Sequence, residues 1–186
     1  MWTYPDLEGH KCLIVGEVNT GKTKLMQNLL CEAESLGKVI TVIDMAPKER
    51  RRTGTGHGEG EGEGEIEGVI VGGRLRTHAD YYTTHIDTPR LTGKTIKEVI
   101  SLAEGNKKRI EALFEKVHLK DVLFINDVSL YLQRGDVARI VSLMESVHTS
   151  ILNGYFGTSL GEDPFSMEER KKMIELQEHC NRIIWR

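Results

Sequence analysis

Three short runs of the chain, at residues 12–15, 39–43 and 122–125, are almost uniformly apolar and rich in β-branched residues. A strand with one face in water alternates apolar with polar side chains, and these runs do not. Each run is therefore predicted to be a central strand of a parallel sheet whose two faces are both covered. This need for cover on both faces constrains the fold more than any other feature.

Amphipathic helical patterns alternate with the apolar runs. One follows the first run and ends before Gly37, and others cover residues 96–117, 137–147 and 166–180. Gly105-Asn106 is a candidate break in the second pattern, and Ser166-Met167-Glu168-Glu169 has the spacing of a capping box for the last helix. Further strands are predicted at residues 150–152 and 182–185. The alternation predicts one α/β domain over residues 1–186, with three α/β/α layers and a mainly parallel sheet of about five strands.

Glycine and glutamate alternate through most of residues 53–68. Such a segment has no apolar surface to bury, so a mobile loop within the domain is predicted there. Val69-Ile70-Val71 is a candidate short strand. Residues 72–91 contain many polar and aromatic side chains and are predicted to form a structured loop.

The overall charge does not indicate a strongly electrostatic partner. The formal net charge is -3, so attraction to nucleic acid or to an anionic membrane is not expected, although nucleic-acid binding is left open. No apolar run approaches the roughly 20 residues of a membrane span, so no membrane association is expected. The cysteines Cys12, Cys31 and Cys180 have no metal-ligand spacing and are predicted to be reduced thiols of a cytoplasmic protein.

A phosphate-binding pattern follows the first apolar run and opens the first helical pattern. Residues 16–23 read Gly-Glu-Val-Asn-Thr-Gly-Lys-Thr, which matches G-x-x-x-x-G-K-[ST] at every fixed position. Its glycines permit the dihedral angles with which successive backbone N–H groups converge on phosphate oxygens, and the helix that follows directs its positive end at the same oxygens. Lys22 can reach the β- and γ-phosphates, and the Thr23 hydroxyl can coordinate magnesium.

This segment resembles the Walker A motif of the P-loop NTPase superfamily, and Val122-Leu-Phe-Ile-Asn-Asp127 resembles its Walker B motif. The resemblance is specific over residues 12–30 and looser elsewhere, and it does not identify a subfamily. It implies that Thr23 and Asp127 hold Mg²⁺ and that Lys22 and Asp127 act in catalysis. The alternative for Asp127 is a strand-end aspartate that caps the next turn. The residues that it assigns to the bound nucleotide are Gly16, Glu17, Val18, Asn19, Thr20, Gly21, Lys22, Thr23 and Lys24.

Asp44 is a second candidate carboxylate, because it ends the apolar run at residues 39–43. In several P-loop branches an acid at this place touches metal or activates the acceptor, so the resemblance makes Asp44 a candidate catalytic residue. The alternative is a turn cap ahead of Pro47. The chain also departs from some branches, because Val128 stands where a water-activating glutamate often follows Walker B.

Two other segments offer less specific signals. Residues 92–95, Thr-Gly-Lys-Thr, end like a second phosphate loop, but no strand precedes them and position 88 is threonine, so a helix start capped by Thr92 is predicted. Residues 74–90 include four side chains that could form a metal or acid–base cluster, namely His78, Asp80, His85 and Asp87. The preferred interpretation is that these residues belong to a solvated, locally hydrogen-bonded loop.

Three residues near the predicted carboxyl edge of the sheet have open roles. Arg134 and Arg139 follow Walker B and could stabilise a transferring phosphate, but surface positions are an equal alternative. Asn153 is predicted at the end of the fourth strand. It could polarise a γ-phosphate or a water molecule, or it could form a turn with Gly154.

The base preference rests on a missing motif. The nearest match to the guanine-reading Asn/Thr-Lys-x-Asp pattern, at residues 106–109, ends in Arg109, so ATP is favoured over GTP. The resemblance implies that the chain binds the triphosphate with Mg²⁺ and hydrolyses it to drive a conformational or assembly change. Two alternatives stay open. One is a kinase acting on a small molecule or a nucleic-acid end, and the other is a non-catalytic module that binds nucleotide and recruits a protein partner.

Overall fold

The computed structural model describes residues 2–48, 73–161 and 163–186. The predicted Gly/Glu loop at residues 53–68 and the candidate strand at residues 69–71 lie outside these ranges. The strands are β1 (Lys11–Gly16), β2 (Ile40–Asp44), β3 (Asp80–Thr83), β4 (Val122–Asn126), β5 (Thr149–Tyr155) and β6 (Arg182–Trp185). The helices are α1 (Lys22–Ser35), α2 (Pro89–Thr92), α3 (Ile96–Phe114), α4 (Ser129–Leu132), α5 (Val137–Glu145) and α6 (Pro164–Glu178).

The strands form one parallel sheet in the order β3-β2-β4-β5-β1-β6. The predicted α/β class and parallel sheet are therefore confirmed, and the described residues form six strands rather than about five. Because all the strands run in one direction, their carboxyl ends share one edge of the sheet. Strand β5 lies between β1 and β4, so its end separates the loop after β1 from the residue after β4.

Successive residues of the central strands enter two different cores. Leu13 and Val15 of β1 pack on one face with residues of α3, α4, α5 and α6. Cys12 and Ile14 pack on the opposite face with residues of α1. This burial on both faces explains why the strand sequences are continuous apolar runs, and it is compatible with three α/β/α layers.

The prediction that residues 72–91 form only a loop is wrong. Tyr81 and Tyr82 belong to β3, which pairs with β2 at the edge of the sheet, and residues 89–92 form α2. The candidate break at Gly105-Asn106 is also wrong, since α3 is continuous. The fully buried Asn106 side chain instead binds the preceding loop, accepting from the Asp87 amide at 2.9 Å and donating to the Asp87 carbonyl at 3.0 Å.

Two predicted helix starts are displaced by three residues. The cap of α3 is Thr95, whose hydroxyl accepts from the Glu98 amide at 3.2 Å, whereas the predicted cap Thr92 ends α2. The cap of α6 is Asp163, whose Oδ1 accepts from the amides of Phe165 and Ser166 at 2.9 and 3.2 Å. Proline at the first helical position is typical of a helix start, and here Pro164 follows the cap.

None of the helices within the described ranges combines the length and the apolar character that crossing a membrane requires.

The cap of α6 can be tested by substitution. Asp163→Ala removes the acceptor of two otherwise unpaired amides and should lower the free energy of unfolding by about 1 kcal/mol in urea denaturation. Ser166→Ala, the matched control, removes only a hydroxyl that donates to Asp163 at 2.8 Å and should cost less. If Ser166→Ala lowers the free energy of unfolding more than Asp163→Ala does, Ser166 is the cap, as predicted from the sequence.

Candidate functional site

The loop between β1 and α1 leaves the amino end of α1 open. Gly21 is the N-cap residue and has left-handed dihedral angles, with φ 84° and ψ 17°, and no side chain of the described residues accepts a hydrogen bond from the first turn. Asn19 is also left-handed, with φ 60°. The first amides of a helix have no partner within the helix, and they carry the positive end of its dipole. The 14 residues of α1 therefore present an anion-binding end at this loop.

Glycine is required at the end of β1 by close packing. A Cβ atom on Gly16 would lie 2.1 Å from the Arg186 carbonyl oxygen and 3.1 Å from Thr20 Oγ1. Arg186 is held there because its amide donates to the Val15 carbonyl at 2.9 Å. The first glycine of the motif thus lets the loop turn tightly against the backbone that follows β6.

Lys22 folds back over the loop. Its ammonium donates to the carbonyl oxygen of Gly16 at 3.0 Å and to that of Glu17. Burial lowers the pKa of Lys22, while the nearby carboxylates of Asp127 and Glu17 oppose that shift. The ammonium therefore lies among oxygen atoms beside the open helix end, where anionic oxygens could replace the two carbonyls.

Glu17 fixes the outer side of the loop. Its carboxylate accepts from the Thr158 amide at 2.7 Å, from the Ser159 amide at 3.3 Å and from the Ser159 hydroxyl. The Ser159 hydroxyl is the main reason that the pKa of Glu17 is lowered. A Cβ atom on Gly157 would lie 2.1 Å from this carboxylate, so glycine is needed there. The side chain of Glu17 thus ties the loop to the segment after β5.

A cavity of about 440 Å³ opens beside the loop. Of the nine residues predicted to bind nucleotide, residues 18–24 line this cavity, whereas Gly16 and Glu17 do not. Asp127 and Asn153 line it as well, as does Ser129 of α4. The structure therefore brings Asp127 to the same cavity as Lys22 and Thr23, although Asp127 follows Thr23 by 104 residues in the chain.

Asp127 follows β4 in a left-handed conformation with φ 60°. Its amide donates to Asn153 Oδ1 at 2.6 Å, and its carboxylate accepts from the Ser129 hydroxyl at 3.2 Å. Removal from water raises the pKa of Asp127 to about 6, against the opposing effects of the Ser129 hydroxyl and the Lys22 charge. This carboxylate is therefore held at a fixed place in the cavity wall.

A chain of buried amides connects Asp127 with β2. Asn153 Nδ2 donates to Asn126 Oδ1 at 2.9 Å, and Asn126 Nδ2 donates to Asp44 Oδ1 at 2.9 Å. Asn153 lies inside β5, two residues before its end, rather than at the strand end that was predicted. Because both atoms of its amide are engaged, Asn153 orients Asp127 through the backbone.

Asp44 is not brought to the cavity. It is fully buried and does not line the cavity wall. Besides the bond from Asn126, its carboxylate accepts from the amides of Ala46 at 2.9 Å and Leu75 at 2.7 Å, and from the Tyr81 hydroxyl at 3.0 Å. These contacts make Asp44 a cap for the turn after β2 and an anchor for the chain before β3, so the geometry favours the structural alternative to a catalytic role.

The candidate arginines Arg134 and Arg139 bind other partners. Arg134 pairs with Glu104 at 2.6 Å, and Arg139 pairs with Glu115 at 2.7 Å; neither arginine lines the cavity. Among the described residues, the arginine that lines it is Arg90 of α2, whose sequence context indicates no role. Its guanidinium binds the carboxylate of Glu169, with the closest atoms 2.6 Å apart.

The candidate metal cluster of the loop before α2 is dispersed. Asp80 lies on β3 near Lys120 at 3.6 Å, and Asp87 binds Arg109 at 2.6 Å. His85 lies 3.1 Å from Asp87, while the His78 amide binds Glu34. Within the described part of the chain, no group of three or more His, Cys, Asp or Glu side chains could hold a metal ion.

Comparisons with models of known protein families and with curated proteins find no match to this chain.

The contrast between the two carboxylates predicts opposite effects of one substitution. Asp127 has a raised pKa, so its ionised form is disfavoured in the folded protein and costs stability above about pH 6, whereas the cost disappears below about pH 4. Asp127→Asn should therefore raise the free energy of unfolding by about 1–3 kcal/mol at about pH 8 without Mg²⁺. Denaturant unfolding at several pH values measures this difference, which should shrink as the pH falls.

Asp44→Asn is the matched control for that experiment. An amide cannot accept from all four donors around Asp44, so two buried donors lose their partners and the free energy of unfolding should fall by about 2–4 kcal/mol. A stabilising Asp44→Asn, or a destabilising Asp127→Asn at about pH 8, would contradict the environments described for these residues.

Proposed function

We propose that this protein binds ATP, in preference to GTP, with Mg²⁺ in the cavity at residues 18–24, and that it hydrolyses ATP to drive a conformational or assembly change. One observation carries the proposal. The uncapped amino end of α1, the Lys22 ammonium and the oxygen donors of Thr23 and Asp127 all belong to a single cavity.

The loop presents hydrogen-bond donors and positive charge to a triphosphate. The open amides of α1 have no side-chain acceptor in the described part of the chain, and phosphate oxygens would satisfy them at the positive end of the dipole. The half-buried Lys22 ammonium would exchange two neutral carbonyl acceptors for charged phosphate oxygens, and hydrogen bonds to charged groups are stronger. Both effects favour a highly charged anion at this place.

The metal would be held by few protein atoms. Thr23 and Asp127 supply hard oxygen donors to the cavity, and Mg²⁺ usually takes one or two carboxylates together with phosphate oxygens and water. A dedicated cluster of three acidic or histidine ligands is therefore not needed. The bound ion would neutralise part of the triphosphate charge, while Ser129 and Asn153 keep Asp127 oriented.

The residue directly after Asp127 cannot act as the general base for hydrolysis. Val128, directly after Asp127, is fully buried in the core, so this position supplies no base to the cavity. The attacking water would have to be oriented by other groups or on assembly with a partner, which favours slow turnover by the isolated chain.

A cytoplasmic location remains a prediction.

A kinase is the second candidate function, favoured by the residues that line the cavity. Besides residues 18–24 and Asp127, the lining includes Gln133, Arg90 and Leu160, so the cavity has space outside the phosphate loop. Such space beside a terminal phosphate would suit a phosphate acceptor. The substrate would then raise ADP formation well above the rate seen with ATP alone.

The nucleotide site can be tested with two lysines in the same tripeptide context. Lys22→Ala should weaken Mg²⁺·ATP binding by about 10- to 100-fold in calorimetry, because a charge-assisted contact to phosphate is lost. Lys94→Ala, within Gly93-Lys94-Thr95, changes an exposed lysine outside the cavity and should leave the affinity within about twofold of the parent.

Equal affinities for the parent and Lys22→Ala would remove the phosphate loop from nucleotide binding. Equal losses in both variants would show that the effect is one of overall charge and not of the loop.

A further inference from the structure

The residue that follows β6 lies beside the phosphate loop. Strand β1 has β5 on one side and β6 on the other, and Val15 is paired with Trp185 at the ends of the two strands. The Arg186 amide donates to the Val15 carbonyl at 2.9 Å. The Arg186 carbonyl oxygen is the atom that would lie 2.1 Å from a Cβ atom on Gly16. The backbone of Arg186 is therefore fixed against the first glycine of the loop.

The Arg186 side chain extends along the face of the sheet that α1 covers. Side chains alternate between the two faces along a strand, and Ile184, two residues earlier, packs in the core that contains residues of α1. The Nη2 atom of Arg186 lies 3.9 Å from the position that a Cβ atom on Gly21 would occupy. Gly21 is the N-cap of α1, so this guanidinium is a second cation, besides Lys22, at the amino end of the helix.

The charge of Arg186 is not neutralised by a neighbour. Among the residues that the structure describes, no ion pair includes Arg186. The side chain is also exposed, so it can turn toward an incoming anion. By contrast, each of four other arginines binds a carboxylate, and these are Arg90, Arg109, Arg134 and Arg139.

Arg186 and Asp127 flank the phosphate loop from opposite sides. The strand order β4-β5-β1-β6 places the residue after β4 on one side of β1 and the residue after β6 on the other. Asp127 lines the cavity, whereas Arg186 does not. An anion at the amino end of α1 would thus have the carboxylate and its metal on one side and the guanidinium on the other.

A triphosphate has use for a further cation. Its negative charge exceeds the positive charge that one Mg²⁺ ion and the Lys22 ammonium supply together. A guanidinium presents a planar set of N–H donors that matches phosphate oxygens, and hydrogen bonds between charged partners are among the strongest in proteins. An arginine without an acidic partner at this place therefore fits the remaining charge.

We propose that Arg186 is a phosphate-binding residue, whose guanidinium donates to the triphosphate of bound ATP on the side of the loop away from Asp127. The inference rests on the proposed function, because it requires a phosphate at the amino end of α1. Arg186 then contributes to the affinity for the nucleotide.

The test is calorimetry on the full chain with Mg²⁺ and a non-hydrolysable ATP analogue. Titration of the parent protein reports on the proposed function alone. Arg186→Ala should weaken binding of the analogue by about tenfold at about 50 mM salt, because a charge-assisted contact to phosphate is lost. Arg186→Lys keeps the charge and should bind within about threefold of the parent.

Arg182→Ala is the matched control. Arg182 is an exposed arginine of the same strand, but it lies opposite Cys12 at the amino end of β6, and its guanidinium donates to the Asn181 carbonyl at 3.3 Å. This variant removes the same charge and should leave the affinity within about twofold of the parent. Both alanine variants should unfold at the urea midpoint of the parent, since neither side chain is buried.

Salt separates a contact to phosphate from a contact to the base. Arg186 is exposed, so its attraction to a phosphate is screened as the ionic strength rises. The ratio of the dissociation constants of Arg186→Ala and the parent should therefore fall between about 50 mM and about 1 M salt. Stacking of the guanidinium on the base would leave this ratio unchanged.

Several outcomes overturn the proposal while the nucleotide site itself stands. They are parent-like binding by Arg186→Ala, an equal loss in Arg182→Ala, no recovery in Arg186→Lys, and a ratio that does not depend on salt. An affinity loss that comes with a lower urea midpoint for Arg186→Ala would make the role of Arg186 structural. If the parent shows no heat with the analogue, the proposed function fails, and the role of Arg186 fails with it.

Discussion

The first turn of α1 finds no side-chain acceptor among the described residues, and the neighbouring contacts leave its amides open. Gly21 caps the helix with left-handed dihedral angles and offers no side-chain acceptor, so the amides of the first turn remain open. Gly16 lets the loop turn against the Arg186 backbone, and Glu17 ties it to residues 158 and 159. These contacts hold the loop in shape without filling the place at which the amides point. Under the proposed function, a loop held in this way would already have the shape that binds phosphate before the nucleotide arrives.

The parallel sheet supplies the second requirement, a carboxylate at a fixed position. Because β5 lies between β1 and β4, Asn153 can reach both the residue after β4 and the amide of Asn126. The chain from Asp44 through Asn126 and Asn153 spans three neighbouring strands and satisfies polar groups that would otherwise be costly to bury. Asp44 is the buried acceptor at one end of this chain, and Asp127 stands at the other end in the cavity wall. Two aspartates that both end a strand thus have different roles because of their surroundings.

Local patterns in the sequence were sufficient to predict the central strands and the helix that follows the first of them. The runs that form β1, β2 and β4 are apolar on both faces because two cores enclose them. Such a run can be recognised in the sequence without knowing which elements pack against it. β3 was missed because an edge strand needs no apolar run; the consecutive Tyr81, Tyr82 and Thr83, which favour strands, were the available signal. The cap at Asp163 was missed because Ser166-x-x-Glu169 also fits a capping box, and Glu169 instead pairs with Arg90.

Contacts between distant parts of the chain could not be predicted in the same way. Nothing near Arg90 indicates that it meets Glu169, 79 residues later, or that both approach Gln133. The same holds for Asn153, which reaches the cavity because β5 inserts between β1 and β4, an arrangement that periodicity does not specify. The role of Asp44 could not be predicted from its position in the sequence. Catalytic and structural carboxylates both occur at strand ends, and the donors that surround Asp44 in the structure are what favour the structural role.

The central claim is that the amides of the phosphate loop bind the phosphates of ATP, and amide NMR spectra recorded during a titration with Mg²⁺·ATP test it most directly. The account predicts that the largest shifts fall on the amides of residues 19–24 and that the Asp127 amide shifts as well, while the amides of residues 93–95 barely move. Shifts concentrated elsewhere, or a spectrum unchanged at millimolar Mg²⁺·ATP, would contradict it.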